Sequence, residues 1–474
     1  MTIANQALAT EQVLARIDAS NDAETSRLAA WLRIPSVSAQ PVHAADCRRA
    51  AEFATAELTA MGFTVALHET PGHPIVLAHH AGPATENAPH LLYYGHYDVQ
   101  PAEPMELWTS PPFEPAIVAG PRGPRIVARG AVDDKGQVAM WLGALRAWHG
   151  ETGTLPVRVT VLIEGEEEVS SPNLDAFLVA HKAELAADIA VISDTGMWDI
   201  DTPAITTSLR GIVYMQVTLK AAARDLHSGM FGGSALNPLN ALSAALGQLH
   251  NAQGRVQLPG FYDGVAEIPA SQSAAWAALA FDEAKYLGDI GLRIPAGEAC
   301  RTALERLWSR PTADINGLWG GYMGPGSKTV IPAEAHAKVS FRLVPGQNPD
   351  AVIAGFKAFM AARVPADAQL EYQLFGHSAG LRIPTDSPFA RAAEAALADE
   401  YGRAPVHIGC GGSIPVVESF HRVLGLDSLL LGFGLDDDQV HGPNEKFELR
   451  CFRQGMRSHA RLLGRLTAHP LTNG

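Results

Sequence analysis

Apolar and polar positions follow two different periods along the chain, and these periods divide it into helical and strand segments. Apolar residues at helical spacing predict helices over residues 11–32, 46–61, 135–149, 174–182, 388–401 and 447–466. Short apolar runs between turn residues predict buried strands at residues 63–67, 75–78, 91–94, 157–163, 189–192 and 428–431. Strands that alternate with helices in this way predict an α/β domain with a mixed, mostly parallel sheet flanked by helices.

The pattern changes after Ser208, where strand segments alternate apolar and polar residues. Half-buried antiparallel strands are predicted at residues 213–220, 335–343 and 370–374, and helices at residues 237–250 and 349–362. We therefore expect an inserted α+β domain whose antiparallel sheet has one face covered by helices. The 474 residues exceed the size at which one core stops growing. The expected domains are a catalytic domain in two parts, 1–208 and 381–474, and an inserted domain at 209–380.

The stretch LLYYGHYDVQP, residues 91–101, ends a predicted buried strand with His96 and Asp98. Ligands of open α/β sheets bind at the carboxyl ends of strands, so the pair is a candidate site. The two side chains could instead simply hydrogen-bond each other, and the stretch alone leaves both interpretations open. The Pro-rich segment between Pro101 and Arg129 is expected to be a long loop beside this site.

Acidic residues and histidines follow other predicted strands in the same way. The five candidate points are His96/Asp98, Asp133/Asp134, Glu167/Glu168, Asp194 and His441. Parallel strands bring their carboxyl ends to one edge, and carboxylates gathered there repel one another unless cations neutralise them. Histidine and carboxylate ligands suit two divalent ions, zinc first, with manganese or cobalt as alternatives. Hydrolysis at such a centre also needs an unligated carboxylate as general base, and charge alone leaves Glu166, Glu167 and Glu168 all open.

Composition excludes some classes of function. The formal net charge of −14 argues against binding to nucleic acid or to an anionic membrane surface. The four cysteines are scattered without metal-binding or disulfide-scaffold spacing, which favours a reducing compartment. The N-terminal segment lacks the pattern of a signal peptide, and we expect a cytoplasmic protein.

Seven motifs resemble, in order, those of one enzyme family. They are GHYDVQP, RGAVDDKGQ, EGEEEVSSPNL, DLHSGMFGG, FRLVP, GGSIP and HGPNEK. Together they are similar to the carnosinase-like metallodipeptidases of the cytosolic nonspecific dipeptidase type. The wider di-zinc peptidase family also contains acetylornithine deacetylase, succinyl-diaminopimelate desuccinylase and carboxypeptidase G. The resemblance runs from about residue 30 to the end of the chain.

This resemblance implies a role for each residue of the candidate metal centre. One metal ion is expected on His96 and Asp194, the other on Glu168 and His441, with Asp133 bridging both. Asp98 is expected to orient His96, and Glu167 to act as the general acid and base. The resemblance also implies a cis peptide bond between Asp133 and Asp134.

The inserted domain carries the residues that the resemblance assigns to the substrate. His227 is expected to stabilise the oxyanion, reaching in from the partner subunit of a homodimer formed through this lid domain. Arg342 is expected to bind the free carboxylate of the substrate. The remaining candidates for the substrate pocket are Thr329, Gly412, Ser413 and His377.

The expected activity is hydrolysis of dipeptides or very short peptides with a free C-terminal carboxylate. Asp194, where relatives can have Glu, favours a dipeptidase by this resemblance. The alternative is an N-acyl amino acid amidohydrolase with the same metals and base, and a non-catalytic relative is a further rival. Cys410 replaces the Glu that many relatives have before GGSIP, so contacts to the amino end of the substrate are open.

Overall fold

The computed structural model describes residues 3–84 and 88–467. Its helices are α1 (Ile3–Leu32), α2 (Ala44–Ala60), α3 (Lys135–Thr152), α4 (Leu174–Ala180), α5 (Ser228–Phe231), α6 (Pro238–Leu246), α7 (Ala270–Ala278), α8 (Glu283–Asp289), α9 (Ala303–Trp308), α10 (Pro349–Ala361), α11 (Pro388–Tyr401), α12 (Pro415–Ser419) and α13 (Leu449–Leu466). No helix of the described residues is long and apolar enough to cross a membrane.

The strands are β1 (Thr64–His68), β2 (Ile75–His80), β3 (His90–His96), β4 (Ala116–Gly120), β5 (Gly123–Val127), β6 (Arg158–Glu164), β7 (Ile189–Ile192), β8 (Ala204–Leu209), β9 (Gly211–Lys220), β10 (Leu226–His227), β11 (Thr312–Gly320), β12 (Val330–Ile331), β13 (Glu334–Leu343), β14 (Gln369–Ser378), β15 (Leu381–Arg382), β16 (Val406–Cys410), β17 (Ser428–Leu430) and β18 (Lys446–Glu448). The chain forms two compact units. The first lies within residues 1–207, 383–408 and 415–474, and the second within 208–382 and 409–414.

The first unit contains a large mixed sheet whose strands run in the order β1-β2-β6-β3-β7-β17-β8, with β16 also paired to β8. The pairs of β3 with β6, of β3 with β7, and of β7 with β17 are parallel, whereas β1 and β2 add antiparallel strands at one end. The parallel strands therefore end at the same edge, where His96, Glu164 and Ile192 are the last residues of β3, β6 and β7. The expected mixed sheet flanked by helices is confirmed.

Close packing beneath this edge constrains the residue before His96. A β-carbon on Gly95 would lie 2.5 Å from Val138 and 2.8 Å from Oδ2 of Asp134. The same Asp134 oxygen accepts a hydrogen bond of 3.2 Å from the backbone N–H of His96. Only glycine therefore allows the strand and the start of α3 to approach closely enough to make this bond.

A small antiparallel sheet occupies part of the segment that the sequence predicted to be a loop. Strands β4 and β5 form a hairpin, and β18 pairs with β5. The expectation of an uninterrupted loop between Pro101 and Arg129 was therefore wrong for residues 116–127. Several Pro and Gly residues interrupt the alternation of apolar and polar residues in this hairpin, so the sequence does not indicate its strands. Its third strand, β18, is more than 300 positions away in the chain and could not be paired with it from local pattern.

The second unit is built on an antiparallel sheet with the strand order β11-β13-β9-β14. Residues of β13 alternate between buried and partly exposed positions, which is the pattern of a sheet with one covered face. Buried Val217 and Phe341 from this sheet belong to one core with Leu242 of α6 and Phe356 of α10. The predicted antiparallel sheet with helices on one face is confirmed.

Candidate metal centre

Five side chains near the carboxyl edge of the large sheet form two overlapping groups of potential metal ligands. Ligand atoms of His96, Asp133 and Asp194 all lie within 4.8 Å of one another, and so do those of Asp133, Glu168 and His441. Within the described ranges these are the two groups of this kind. Asp133 belongs to both, so the strand ends that the sequence singled out come together around one shared carboxylate.

The two oxygens of Asp133 face different imidazoles. Oδ1 lies 3.2 Å from Nε2 of His96, and Oδ2 lies 2.9 Å from Nε2 of His441. Nε2 of His441 is also 3.2 Å from Oε2 of Glu168. A carboxylate that presents one oxygen to each group has the geometry of a bridge between two cations. The peptide bond that follows Asp133 is cis, as the resemblance implied.

The charges of the site fit two divalent cations. Burial, together with the negative charge of Asp133, raises the pKa of Asp194 to about 7. Burial also raises the pKa of Glu168, again with a contribution from Asp133. Nε2 of His96 is buried without a hydrogen-bond partner, although the Asp133 oxygen is near it. Cations would satisfy this nitrogen and remove the repulsion, and the mixed nitrogen and oxygen donors suit zinc, manganese or cobalt.

Asp98 contacts both the histidine and the glutamate segment of the centre. Its Oδ1 lies 3.3 Å from Nδ1 of His96, and its Oδ2 accepts a hydrogen bond of 3.1 Å from the backbone N–H of Glu168. The N–H of Glu167 also points at Oδ1, at 3.3 Å. Asp98 is in neither ligand group. It therefore lies where an orienting carboxylate would be, behind the imidazole.

A serine segment that the sequence analysis missed holds Asp98 in place. The hydroxyl of Ser38 donates a hydrogen bond of 2.6 Å to Oδ2 of Asp98. The hydroxyl of Ser36 donates to the carbonyl of Tyr97 at 2.6 Å, and its own carbonyl accepts from Val99 at 3.0 Å. The sequence signal for this role is a pair of serines a few residues after the end of α1, which is too common a feature to indicate a site.

The three consecutive glutamates have separate environments. Oε2 of Glu166 accepts a hydrogen bond of 2.7 Å from the amide of Asn173, away from the ligand groups. Oε2 of Glu168 accepts one of 2.7 Å from the amide of Gln100, which fixes that carboxylate beside His441. The half-buried Glu167 belongs to neither ligand group, and burial raises its pKa well above the usual range. An unligated carboxylate thus lies next to the centre.

Glu445 is a buried carboxylate that the sequence analysis did not assign to the site. It precedes the final helix, since α13 begins at Leu449, and it is fully buried. Its carboxylate accepts hydrogen bonds from the backbone N–H groups of Gly130, Val132 and Asp133, at 2.9, 3.0 and 3.1 Å. The guanidinium of Arg129 donates a further bond to it at 2.9 Å. Glu445 therefore fixes the segment that carries the shared Asp133.

The predicted substrate residues lie in the second unit and form two local pairs. The backbone N–H of Ser228, next to His227, donates to the carbonyl of Thr329 at 3.0 Å, so these two predicted residues are neighbours. Nη1 of Arg342 donates to the hydroxyl of Ser413 at 3.0 Å, and Gly412 precedes that serine. His377 is on β14 opposite Val213 and is exposed, and it joins neither pair.

The imidazole of His227 is set up as a hydrogen-bond donor. Its Nδ1 accepts a hydrogen bond of 3.0 Å from the backbone N–H of Gly229. A neutral ring with Nδ1 as acceptor carries its proton on Nε2. The exposed ring can therefore offer an N–H group outwards.

Comparison with known proteins supports one family. The model of the peptidase family M20/M25/M40 matches residues 92–465. A Cys-Gly metallodipeptidase of Schizosaccharomyces pombe is 31% identical over 457 residues, covering 93% of this chain and 95% of that protein. The human Beta-Ala-His dipeptidase is 30% identical over 469 residues, covering 95% and 91%.

The fold has a close match among solved structures. The dipeptidase Dug1p from Saccharomyces cerevisiae superposes with a TM-score of 0.83 at 28% sequence identity. The match covers 97% of this chain and 99% of that one. Both compact units therefore have counterparts in a single known structure.

Proposed function

Because this chain belongs to the peptidase family M20/M25/M40, we propose that it is a metallodipeptidase, which hydrolyses the peptide bond of dipeptides or very short peptides with a free C-terminal carboxylate. The observation that carries the proposal is the position of Asp133 in both ligand groups. A single cation would not need two sets of ligands that share one carboxylate, whereas hydrolysis at a two-metal centre uses this arrangement.

Dipeptides are the substrate class that the relatives support. The names of the two similar proteins specify Cys-Gly and Beta-Ala-His, two dipeptides with different side chains. We propose that this enzyme shares the class, with Arg342 binding the carboxylate that every dipeptide carries. An arginine–serine pair of this kind suits a planar carboxylate and places no demand on the side chains.

Two divalent ions, zinc first with manganese or cobalt as alternatives, would be held by the ligand groups. His96 and Asp194 would hold one ion, Glu168 and His441 the other, and Asp133 both. Such ions supply an acidified water and polarise the scissile carbonyl. Asp98 keeps the imidazole of His96 in the orientation that leaves Nε2 available.

Proton transfer is assigned to Glu167. Its carboxylate takes the proton of the attacking water and gives it to the leaving amine. Glu166 is held by Asn173 and Glu168 by Gln100 and His441, which leaves Glu167 as the glutamate of this run without such a partner among the described residues. The N–H of His227 is suited to stabilise the oxyanion that forms at the carbonyl.

We also propose that the enzyme is a cytoplasmic homodimer that pairs through the lid domain. The second unit exposes apolar side chains on both edge strands of its sheet, with Ile315 and Leu318 on β11 and Leu374 and Phe375 on β14 each more than 40% exposed. Exposed apolar surface on edge strands favours contact with another chain, here a second copy. All four cysteines are free, which is consistent with a reducing compartment.

Hydrolysis by metal-reconstituted protein tests the proposed function. Initial rates are compared between Ala-Gly, Cys-Gly and β-Ala-His on one side and N-acetyl and N-succinyl amino acids on the other. A dipeptidase hydrolyses the first set at least about tenfold faster, because its amino-end contacts fit a free amine. Preference for the acylated set would instead identify an amidohydrolase that uses the same metals and base.

A further inference from the structure

A buried arginine in the second unit has carbonyl groups, and not carboxylates, as its hydrogen-bond partners. Arg210 is 9% exposed. Its Nε donates to the carbonyl of Gly411 at 2.8 Å and its Nη1 to the carbonyl of Arg310 at 3.5 Å. It forms no ion pair with any Asp or Glu of the described ranges. A buried guanidinium without a counter-ion is costly, so it calls for a reason other than stability.

The backbone of Arg210 binds the residues on either side of Gly411, in the turn formed by residues 410–413. The N–H of Arg210 is shared between the carbonyls of Cys410 and Gly412, at 3.3 and 3.2 Å. With the bond to Gly411, three successive carbonyls of the turn thus point at one arginine. In a planar trans peptide the N–H points opposite to the C=O. The N–H groups of Gly412 and Ser413 therefore point away from Arg210.

These two N–H groups have no protein acceptor in the part of the chain that the structure describes. The side chain of Ser413 lies on Arg342, whose Nη1 donates to its hydroxyl at 3.0 Å. Arg342 forms no ion pair with a described Asp or Glu either. Successive unpaired backbone N–H groups beside a guanidinium form a concave anion site, a common way to bind a terminal carboxylate.

Arg210 and Arg342 both add positive charge beside the N–H groups of Gly412 and Ser413. Burial, together with repulsion by Arg342, lowers the pKa of Arg210 to about 10. An anion between the N–H groups and Arg342 would relieve this repulsion. The close approach also limits the turn, because a β-carbon on Gly411 would lie 3.1 Å from Nη2 of Arg210.

We propose that Arg210 is a positioning residue for the substrate carboxylate: it turns the carbonyls of residues 410–412 away and thereby presents the N–H groups of Gly412 and Ser413, together with Arg342, to the C-terminal carboxylate of a dipeptide. The inference rests on the proposed dipeptidase function and adds a residue to it. The competing explanation is that Arg210 only ties the turn to the sheet, in which case its loss would weaken all ligands equally.

Binding to an inactive protein separates these explanations. In a Glu167→Ala background, calorimetry measures the affinities of Ala-Gly and of Ala-Gly amide, which lacks the carboxylate charge. We expect Arg210→Met to weaken Ala-Gly binding by about tenfold or more and amide binding by less than about twofold, because the lost contacts are charge-assisted. Arg342→Met should give the same selective loss. Arg293→Met, at an exposed arginine of the same unit, should leave both affinities unchanged.

Arg210→Lys keeps the proposal testable if Arg210→Met fails to fold. Lysine keeps the charge but cannot reproduce the bond from Nε to Gly411, so a selective loss of about three- to tenfold is expected. Wild-type selectivity in Arg210→Lys, or equal weakening of both ligands in either variant, would overturn the inference. Wild-type enzyme that hydrolyses no dipeptide would instead overturn the proposed function, whatever Arg210 does.

Discussion

Oδ1 of Asp98 lies 3.3 Å from Nδ1 of His96, while the other oxygen of the same carboxylate accepts a hydrogen bond from the backbone of Glu168. One carboxylate therefore supports a proposed ligand in each half of the centre. Because residues behind metal ligands fix the ring orientation and raise its basicity, Asp98 is expected to control metal affinity without binding metal.

Asp98→Asn should weaken metal binding. The substitution removes the negative charge beside Nδ1 of His96 and leaves only a neutral amide oxygen for the backbone N–H groups of Glu167 and Glu168. Affinity for the more weakly held ion should therefore fall by about 10–100-fold. Competition with a chromogenic chelator measures this affinity. Asp175→Asn is the matched control, because Asp175 lies on α4, accepts hydrogen bonds from Ser419 and Arg422, and belongs to neither ligand group. Equal affinities in wild type and Asp98→Asn would contradict the orienting role.

Glu167→Gln should abolish dipeptide turnover while two metal ions per chain remain. The amide is nearly isosteric but cannot take a proton from water, and loss of a general base costs about 10²–10⁴-fold in rate. Glu166→Gln is the control, since Glu166 binds Asn173 and should keep its activity within a few-fold. Turnover is measured by initial rates and metal content by mass spectrometry. Substantial activity in Glu167→Gln would move the base elsewhere.

Glu445→Gln should destabilise the first unit. Its carboxylate accepts four hydrogen bonds, one of them from the buried Arg129, and breaking a buried ion pair costs about 3–5 kcal/mol. The midpoint of thermal unfolding should fall clearly. Glu69→Gln provides the comparison, because the pair of Glu69 with Arg48 is exposed and such pairs contribute about 0–1 kcal/mol. A midpoint shift no larger than that of Glu69→Gln would show that the hydrogen bonds of Glu445 do not stabilise the first unit.

His459 should make stability depend on pH. Burial lowers the pKa of this histidine to about 3, so the unfolded chain binds a proton below about pH 6.5 that the folded chain does not bind. Stability is therefore lost as the pH falls from about 6.5 towards 3, at up to about 1.4 kcal/mol per pH unit. The stability difference between wild type and His459→Gln, measured without metal, should shrink by this amount in that window. Parallel curves would contradict the buried neutral state.

Local patterns predicted the strands that lead to His96, Glu168 and Asp194, because each of these proposed ligands follows a recognisable apolar run. His96 ends β3 and Asp194 follows β7, as the sequence indicated. The position of Glu445 could not be derived in this way, because its partners at residues 129–133 are more than 310 positions away. The motif around it resembles a helix start, and only the folded chain shows that it binds backbone N–H groups.

Arg210 illustrates the same limit in the second unit. Its sequence neighbours predict only the start of a strand, and its role depends on carbonyls at residues 410–412, about 200 positions away. Hydrophobic periodicity reports which residues are buried, but it does not report which polar groups meet in the folded chain. The domain bounds predicted from the sequence remain predictions. The roles of the predicted site residues also remain predictions, and the variants described above test them.

Stepwise addition of zinc or manganese to the metal-free enzyme tests the two-metal centre most directly. Ala-Gly hydrolysis is measured at each step, together with bound metal per chain. We predict that full activity requires two equivalents, and that Asp133→Asn, which weakens the shared ligand, binds both ions poorly and loses turnover. Full activity with one equivalent, or two ions held normally by Asp133→Asn, would contradict the bridged centre.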